Sequence, residues 1–130
     1  MPEEINRQDH FRIEDRFELR ERDGYVLIDI LSEKFDFYEV SRSAAVLEGF
    51  IQSHEYPPLI IDLQRINYID SSAIGFLINL RHRLRQMGHR IVIICARADI
   101  LHVMRLLNLP RLIPVVAGWE EALKVIREGT

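Results

Sequence analysis

The apolar positions of this chain change period several times, and each change marks an element. Phe17 and Leu19, with Ile13 before them, recur at every second residue, which predicts a short edge strand over 16–21. Asp23-Gly24 is a hairpin turn signal, and Tyr25 to Leu31 reads as the second strand of the pair. After Phe35-Asp36-Phe37 the spacing becomes three and four: Val40, Ala44, Leu47 and Ile51 predict a first helix ending near His54, ahead of Pro57-Pro58. Leu59 to Leu63 is a buried strand, and Ile66 to Ile69 runs on to Asp70-Ser71-Ser72. A second helix is expected from Ser72 to Met87, stopping at Gly88. Its wheel gives a core stripe of Ala73, Leu77, Leu80, Leu84 and Met87. Ile91 to Cys95 is another buried strand, followed by a helix over 98–107, a strand over 112–116 and a closing amphipathic helix over 119–127.

The central runs are apolar at consecutive positions, as strands covered on both faces must be. Strands alternating with helices predict an α/β fold: a mixed, mostly parallel sheet with an antiparallel N-terminal edge hairpin, packed by about four helices. With 130 residues, 48% of them hydrophobic, the chain can build one core and is short for two. Residues 1–16 read as a charged, loosely ordered extension, and 17–130 as a single domain.

Charge and composition narrow the function. A net charge of −3 with acidic and basic residues interleaved gives no electrostatic case for direct nucleic-acid binding. The longest apolar runs fall far below the roughly 20 residues of a membrane span. No basic patch followed by an apolar core opens the chain. The lone Cys95 lies inside an apolar run, which predicts a core residue, no disulfide framework and a cytoplasmic setting.

Candidate chemistry concentrates at Asp70-Ser71-Ser72, where apolar alternation stops and a helix begins. The first N–H groups of a helix lack intrahelical partners and carry the positive end of its dipole, so the position suits a cap or a phosphate. A hydrolase nucleophile elbow needs glycine two residues before and two after the serine, but Ser71 has Ile69 and Ala73, and Ser72 has Asp70 and Ile74. No phosphate-binding loop or dinucleotide fingerprint occurs, and the histidines lack zinc-ligand spacing, so no cofactor or metal is expected. A receiver domain would need an acidic pair after its first strand and a lysine after its last; Ser32-Glu33-Lys34 and Ala117-Gly118 supply neither.

Two readings of the motif stay open on the residues alone. In one, the serines simply cap the helix, for about 1 kcal/mol each. In the other, a serine is phosphorylated and the added charge alters a binding surface. Ile74 and Ile78 fall outside the core stripe, on the side of Arg81, and form either a partner-docking patch or packing against the third helix.

The run from Leu59 through Asp70-Ser71-Ser72-Ala73-Ile74-Gly75 resembles the STAS domain family, the anti-sigma-factor antagonists of bacteria, over residues 17–127. Leu106-Leu107-Asn108-Leu109 and Glu120-Glu121-Ala122-Leu123 are similar to its C-terminal pattern, with Asn108 where the family has glycine and Glu33 near another replaced glycine. The resemblance implies a non-enzymatic, partner-switching signal-transduction protein in transcription regulation, with Ser71 as the phosphorylated residue and Asp36, Asp70 and Ser72 supporting it. It further implies two partners: a serine kinase that doubles as an anti-sigma factor and binds the unphosphorylated form, and a metal-dependent serine phosphatase. The alternative within the family is a constitutive scaffold, or a subunit of a signalling or lipid-trafficking complex, without a phosphoswitch.

Overall fold

The structure is a computed structural model, and it describes residues 10–13 and 16–128. The strands are β1 (His10–Ile13), β2 (Phe17–Arg22), β3 (Tyr25–Ile30), β4 (Lys34–Phe35), β5 (Leu59–Asp62), β6 (Tyr68–Ile69), β7 (Ile91–Ile94) and β8 (Val115–Val116). The helices are α1 (Phe37–Ser53), α2 (Ser71–Gln86), α3 (Ala98–Leu106) and α4 (Trp119–Glu128), with a 3-10 turn over Leu109–Arg111.

Six strands form one sheet in the order β1-β2-β3-β5-β7-β8. The pairs β1/β2 and β2/β3 are antiparallel, and β3/β5, β5/β7 and β7/β8 are parallel. The expected α/β class, hairpin and four helices are therefore present. Gly24 turns the β2–β3 hairpin at φ +89°, a conformation that L side chains rarely adopt.

Alternation sorts the core into two layers. Phe17, Leu19, Val26, Ile28, Ile30, Leu59, Ile61, Ile91 and Ile93 face α1, α2 and α3. Tyr25, Leu27, Ile60, Val92 and Ile94 face α4, which contributes Ala122 and Val125. Cover on both faces is why the β5 and β7 runs are continuously apolar. Cys95 lies in the larger core, where burial foremost pushes its thiol pKa up, as expected of an inert residue.

Several expectations are corrected. The strand at 17–22 is not the edge, because β1 pairs along its outer side, Ile13 opposite Phe17 and His10 opposite Arg20. The loose tail predicted for 1–16 falls mostly outside the described residues; of its described part, residues 10–13 are strand. The segment alternates Phe11 and Ile13 with His10 and Arg12, and its ladder uses backbone groups, so it can form an edge strand inside a charged stretch. In α1 the buried positions are Glu39, Ser43, Leu47 and Ile51, while Val40 and Ala44 are only partly covered. Glu39 is tolerated there because Arg16 lies 3.2 Å from its carboxylate and the Ser43 hydroxyl donates to it. Met87 leaves the core stripe and is 50% exposed, as the cap residue past the last turn of α2. The final strand shrinks to two residues because Asn108, in the left-handed conformation at φ +61°, starts the 3-10 turn that contains Pro110.

One row of the sheet carries a repulsion that can be measured. Glu18, Asp29 and Asp62 are register neighbours on β2, β3 and β5, and one Asp29 carboxylate oxygen is buried without a hydrogen bond. Arg65 reaches it at 3.6 Å. Burial foremost, and then Asp62, push the Asp29 pKa up, outweighing Arg65. A raised folded pKa means that this group's contribution to stability is full below its unfolded value and is lost as pH rises through the folded one. Asp29→Asn is expected to stabilise the protein at neutral pH by on the order of 0.5 kcal/mol, as relief of cross-strand repulsion does. The gain should vanish at acidic pH in urea titrations. A loss at neutral pH would mean that the Arg65 pair dominates.

Candidate functional site

The short sheet β4-β6 builds the site. Its two strands run parallel, Lys34 opposite Tyr68 and Phe35 opposite Ile69. Each then delivers an aspartate and a helix: Phe35-Asp36-α1 and Ile69-Asp70-α2. Phe35 and Ile69 are buried, and the Phe35 ring meets Phe76 of α2 edge-on at 6.3 Å, so the core fixes both helix starts. Asp36 and Asp70 have nearly the same extended backbone, φ −132°, ψ −176° and φ −126°, ψ −179°. Asp36 Oδ1 accepts the Glu39 N–H at 2.9 Å and Asp70 Oδ1 accepts the Ala73 N–H at 3.2 Å, so each caps its helix.

One bond joins the two units. The Phe37 N–H, at the first position of α1, donates to Asp70 Oδ2 at 2.9 Å. Asp70 thus satisfies one amide of each helix and holds the two N-termini side by side. The serines of the motif are therefore not the caps; Asp70 is, and Ser71 and Ser72 are the first two residues of α2. Ser71 is exposed and Ser72 is half-buried. Neither hydroxyl makes a hydrogen bond among the described residues. The amides of Ser71 and Ser72 point outward from the positive end of the helix, unclaimed by intrahelical acceptors.

The other sequence-predicted residues divide. Asp36 is brought to the site through the Phe37–Asp70 bond. Ile74 is 3% exposed and belongs to the core, which removes it from any partner patch. Ile78 is partly buried and packs on the same core; the wheel placed both outside the stripe because it cannot show that neighbouring helices widen the buried face. Arg81 lies toward the far end of α2. The elements that meet at Asp70 also carry exposed aromatic rings that the motif does not announce: Phe37, Tyr38 and Tyr68 are 67%, 60% and 49% exposed. Arg42 stacks over the Tyr38 ring and its guanidinium donates to the Tyr38 hydroxyl at 2.6 Å. The sequence signal for this is the repeated apolar-Asp-helix pattern at 35–37 and 69–71, whose two units meet through the Phe37–Asp70 bond. Among the described residues, no group of three His, Cys, Asp or Glu side chains is placed to hold a metal ion.

Comparison with known proteins gives this arrangement a family. The model of the STAS domain matches residues 16–122. The chain belongs to the STAS domain family. Solved STAS-like structures share its fold at low identity. An anti-sigma factor antagonist from Mycobacterium paratuberculosis is 20% identical with a TM-score of 0.70, over 86% of this chain and 93% of that one. The Bacillus cell fate determinant SpoIIAA in its phosphorylated form is 20% identical with a TM-score of 0.63, over 85% and 99%. The murine Solute Carrier 26 family member A9 anion transporter is 14% identical with a TM-score of 0.64, over 97% of this chain and 24% of the transporter chain. Among the described residues of this STAS domain, no helix is long and apolar enough to cross a membrane.

Proposed function

We propose that the chain is a phosphorylation-controlled binding module of the anti-sigma-factor-antagonist type, without catalytic activity of its own, acting in the cytoplasm. Ser71 is the acceptor. Its unphosphorylated form binds a serine kinase that doubles as an anti-sigma factor, and a metal-dependent serine phosphatase restores that form. The observation that carries this reading is the exposed Ser71 hydroxyl at the first position of a helix whose cap is supplied by another residue. Because Asp70 does the capping, a phosphate on Ser71 breaks no bond of the fold. The dianion, about −1.5 to −2 charges, meets open amides and a helix dipole on one side. On the other it adds to Asp70 and Asp36, and so changes the charge of a surface framed by exposed aromatic rings. An interface shaped for the bare hydroxyl would have to bury that dianion, a cost that expels the partner. The existence of a phosphorylated form of the similarly folded Bacillus SpoIIAA agrees with such a switch.

Incubation with the cognate kinase and ATP, followed by mass-spectrometric mapping, is expected to place one phosphate on Ser71 and none on the Ser71→Ala variant. Labelling of Ser72 instead, or no labelling, would overturn the assignment. The second reading, a constitutive scaffold or subunit of a signalling or lipid-trafficking complex, draws on the likeness to a domain of a transporter. Recovery of a serine kinase in a pull-down from the native host separates the two.

A further inference from the structure

At the end of α2 remote from Ser71 the sequence sets down a different chemistry. Arg81 and Arg85 are four residues apart, hence on one face of α2. The chain reverses at Gly88, at φ +76°, and enters β7 through His89 and Arg90. All four side chains line one cavity of about 260 Å³ at the N-terminal end of β7. Its remaining walls are apolar: Ile91, Leu112, Pro114 and Val125. His89 Nδ1 donates to the Tyr56 carbonyl at 2.6 Å, which fixes the ring against the wall.

Several arginines of this chain are neutralised by a carboxylate, whereas the three that share this cavity are not. Arg16 lies 3.2 Å from Glu39, Arg83 3.1 Å from Glu48, and Arg97 2.7 Å from Asp99. Arg81, Arg85 and Arg90 have no carboxylate partner among the described residues, in a chain whose acidic residues outnumber its basic ones, 20 to 17. The C-terminal end of α2 offers them only about half a negative charge. Three guanidinium groups exceed it, leaving a net positive rim above an apolar floor. Guanidinium forks match a phosphate bidentately, and the floor suits a ring.

We propose that this cavity binds a small organic phosphate monoester, its dianionic head held by Arg81, Arg85 and Arg90 and its apolar body set on Ile91, Leu112, Pro114 and Val125. The volume limits the ligand to one head and one compact ring system, which a soluble molecule provides. Ser71 lies ten residues before Arg81, about 15 Å along the axis of α2. The cavity is therefore a separate place from Ser71.

The test is an NMR titration of the full chain with 1-naphthyl phosphate. Saturable shifts are expected at the Ile91, Leu112 and Val125 amides, with inorganic phosphate and neutral 1-naphthol each binding at least about tenfold more weakly. The double variant Arg85→Gln/Arg90→Gln, both side chains exposed and outside the core, should retain its melting transition and bind the probe at least about tenfold more weakly. Three outcomes would overturn the proposal: no saturation at millimolar probe, shifts confined to another region, or undiminished binding by the folded variant. Sedimentation with phosphatidic acid vesicles in the absence of binding to the soluble probe would likewise overturn it, in favour of a membrane surface.

Discussion

Ser71→Asp is expected to weaken binding of the kinase partner by about tenfold to a hundredfold, roughly 1.4 to 2.8 kcal/mol, while Ser71→Ala keeps the affinity of the unmodified protein. The difference follows from where the residue stands. Ser71 is exposed, and its hydroxyl holds no bond of the fold, so removing it costs the domain little. A carboxylate at the same position meets the positive end of α2 and is accepted there, worth about 0.3 to 1 kcal/mol to the free protein. In a complex that carboxylate must shed water beside Asp70, whose charge is already engaged with the Ala73 and Phe37 amides. Burial of an unpaired charge in an interface exceeds what the helix end returns. Calorimetric titration of both variants against the partner kinase reads the effect, with thermal melts confirming that both are folded. Equal affinities would show that charge at residue 71 is not the switch.

Asp70→Ala should lower the free energy of unfolding by about 2 kcal/mol, twice the effect of Asp36→Ala. Loss of an N-cap costs about 1 kcal/mol, and each aspartate caps one helix. Asp70 also accepts the Phe37 amide, and an orphaned amide adds about 1 kcal/mol more. Asp70→Asn discriminates further. An asparagine has one acceptor oxygen where the aspartate uses two, so it can serve Ala73 or Phe37 but not both in the present geometry. It loses one bond, about 1 kcal/mol, and the carboxylate's charge at the helix end, about 0.3 to 1 kcal/mol, so its loss should fall between those of the two alanine variants. Urea denaturation of the three proteins gives the ordering. Equal effects of Asp70→Ala and Asp36→Ala would mean that the link between the helices contributes nothing to stability.

Most of the fold could be read from the chain because its elements are written in two clear periods. β5 and β7 are short apolar runs rich in isoleucine and bounded by Pro57-Pro58, Gly88 and charged residues, too short for a helix and suited to a strand covered on both faces. The helix ends were equally legible where Asp, Gly and Asn mark them. What escaped was short or held by partners distant in sequence. The pairs β4/β6 and β7/β8 each engage only two residues on either strand, too few for alternation to show. The pairing of β1 with β2 uses backbone groups that side-chain pattern does not encode.

The site divides the same way. Sequence located the motif and, through the family pattern, joined Asp36 to it. It left the capping ambiguous and left Ile74 between a docking patch and packing against the third helix, because a helix wheel knows the angle of a residue but not how many neighbours surround the helix.

By itself, then, the sequence determined the α/β class and the start of a helix at Asp70-Ser71-Ser72, since these follow from local period and local capping chemistry. Only the tertiary structure decided that Asp70 is the cap and clasps two helices, that Ile74 is core, and that Arg81, Arg85 and Arg90 converge on one cavity. Each of these depends on groups brought together from separate segments by packing, and that proximity has no local signature along the chain.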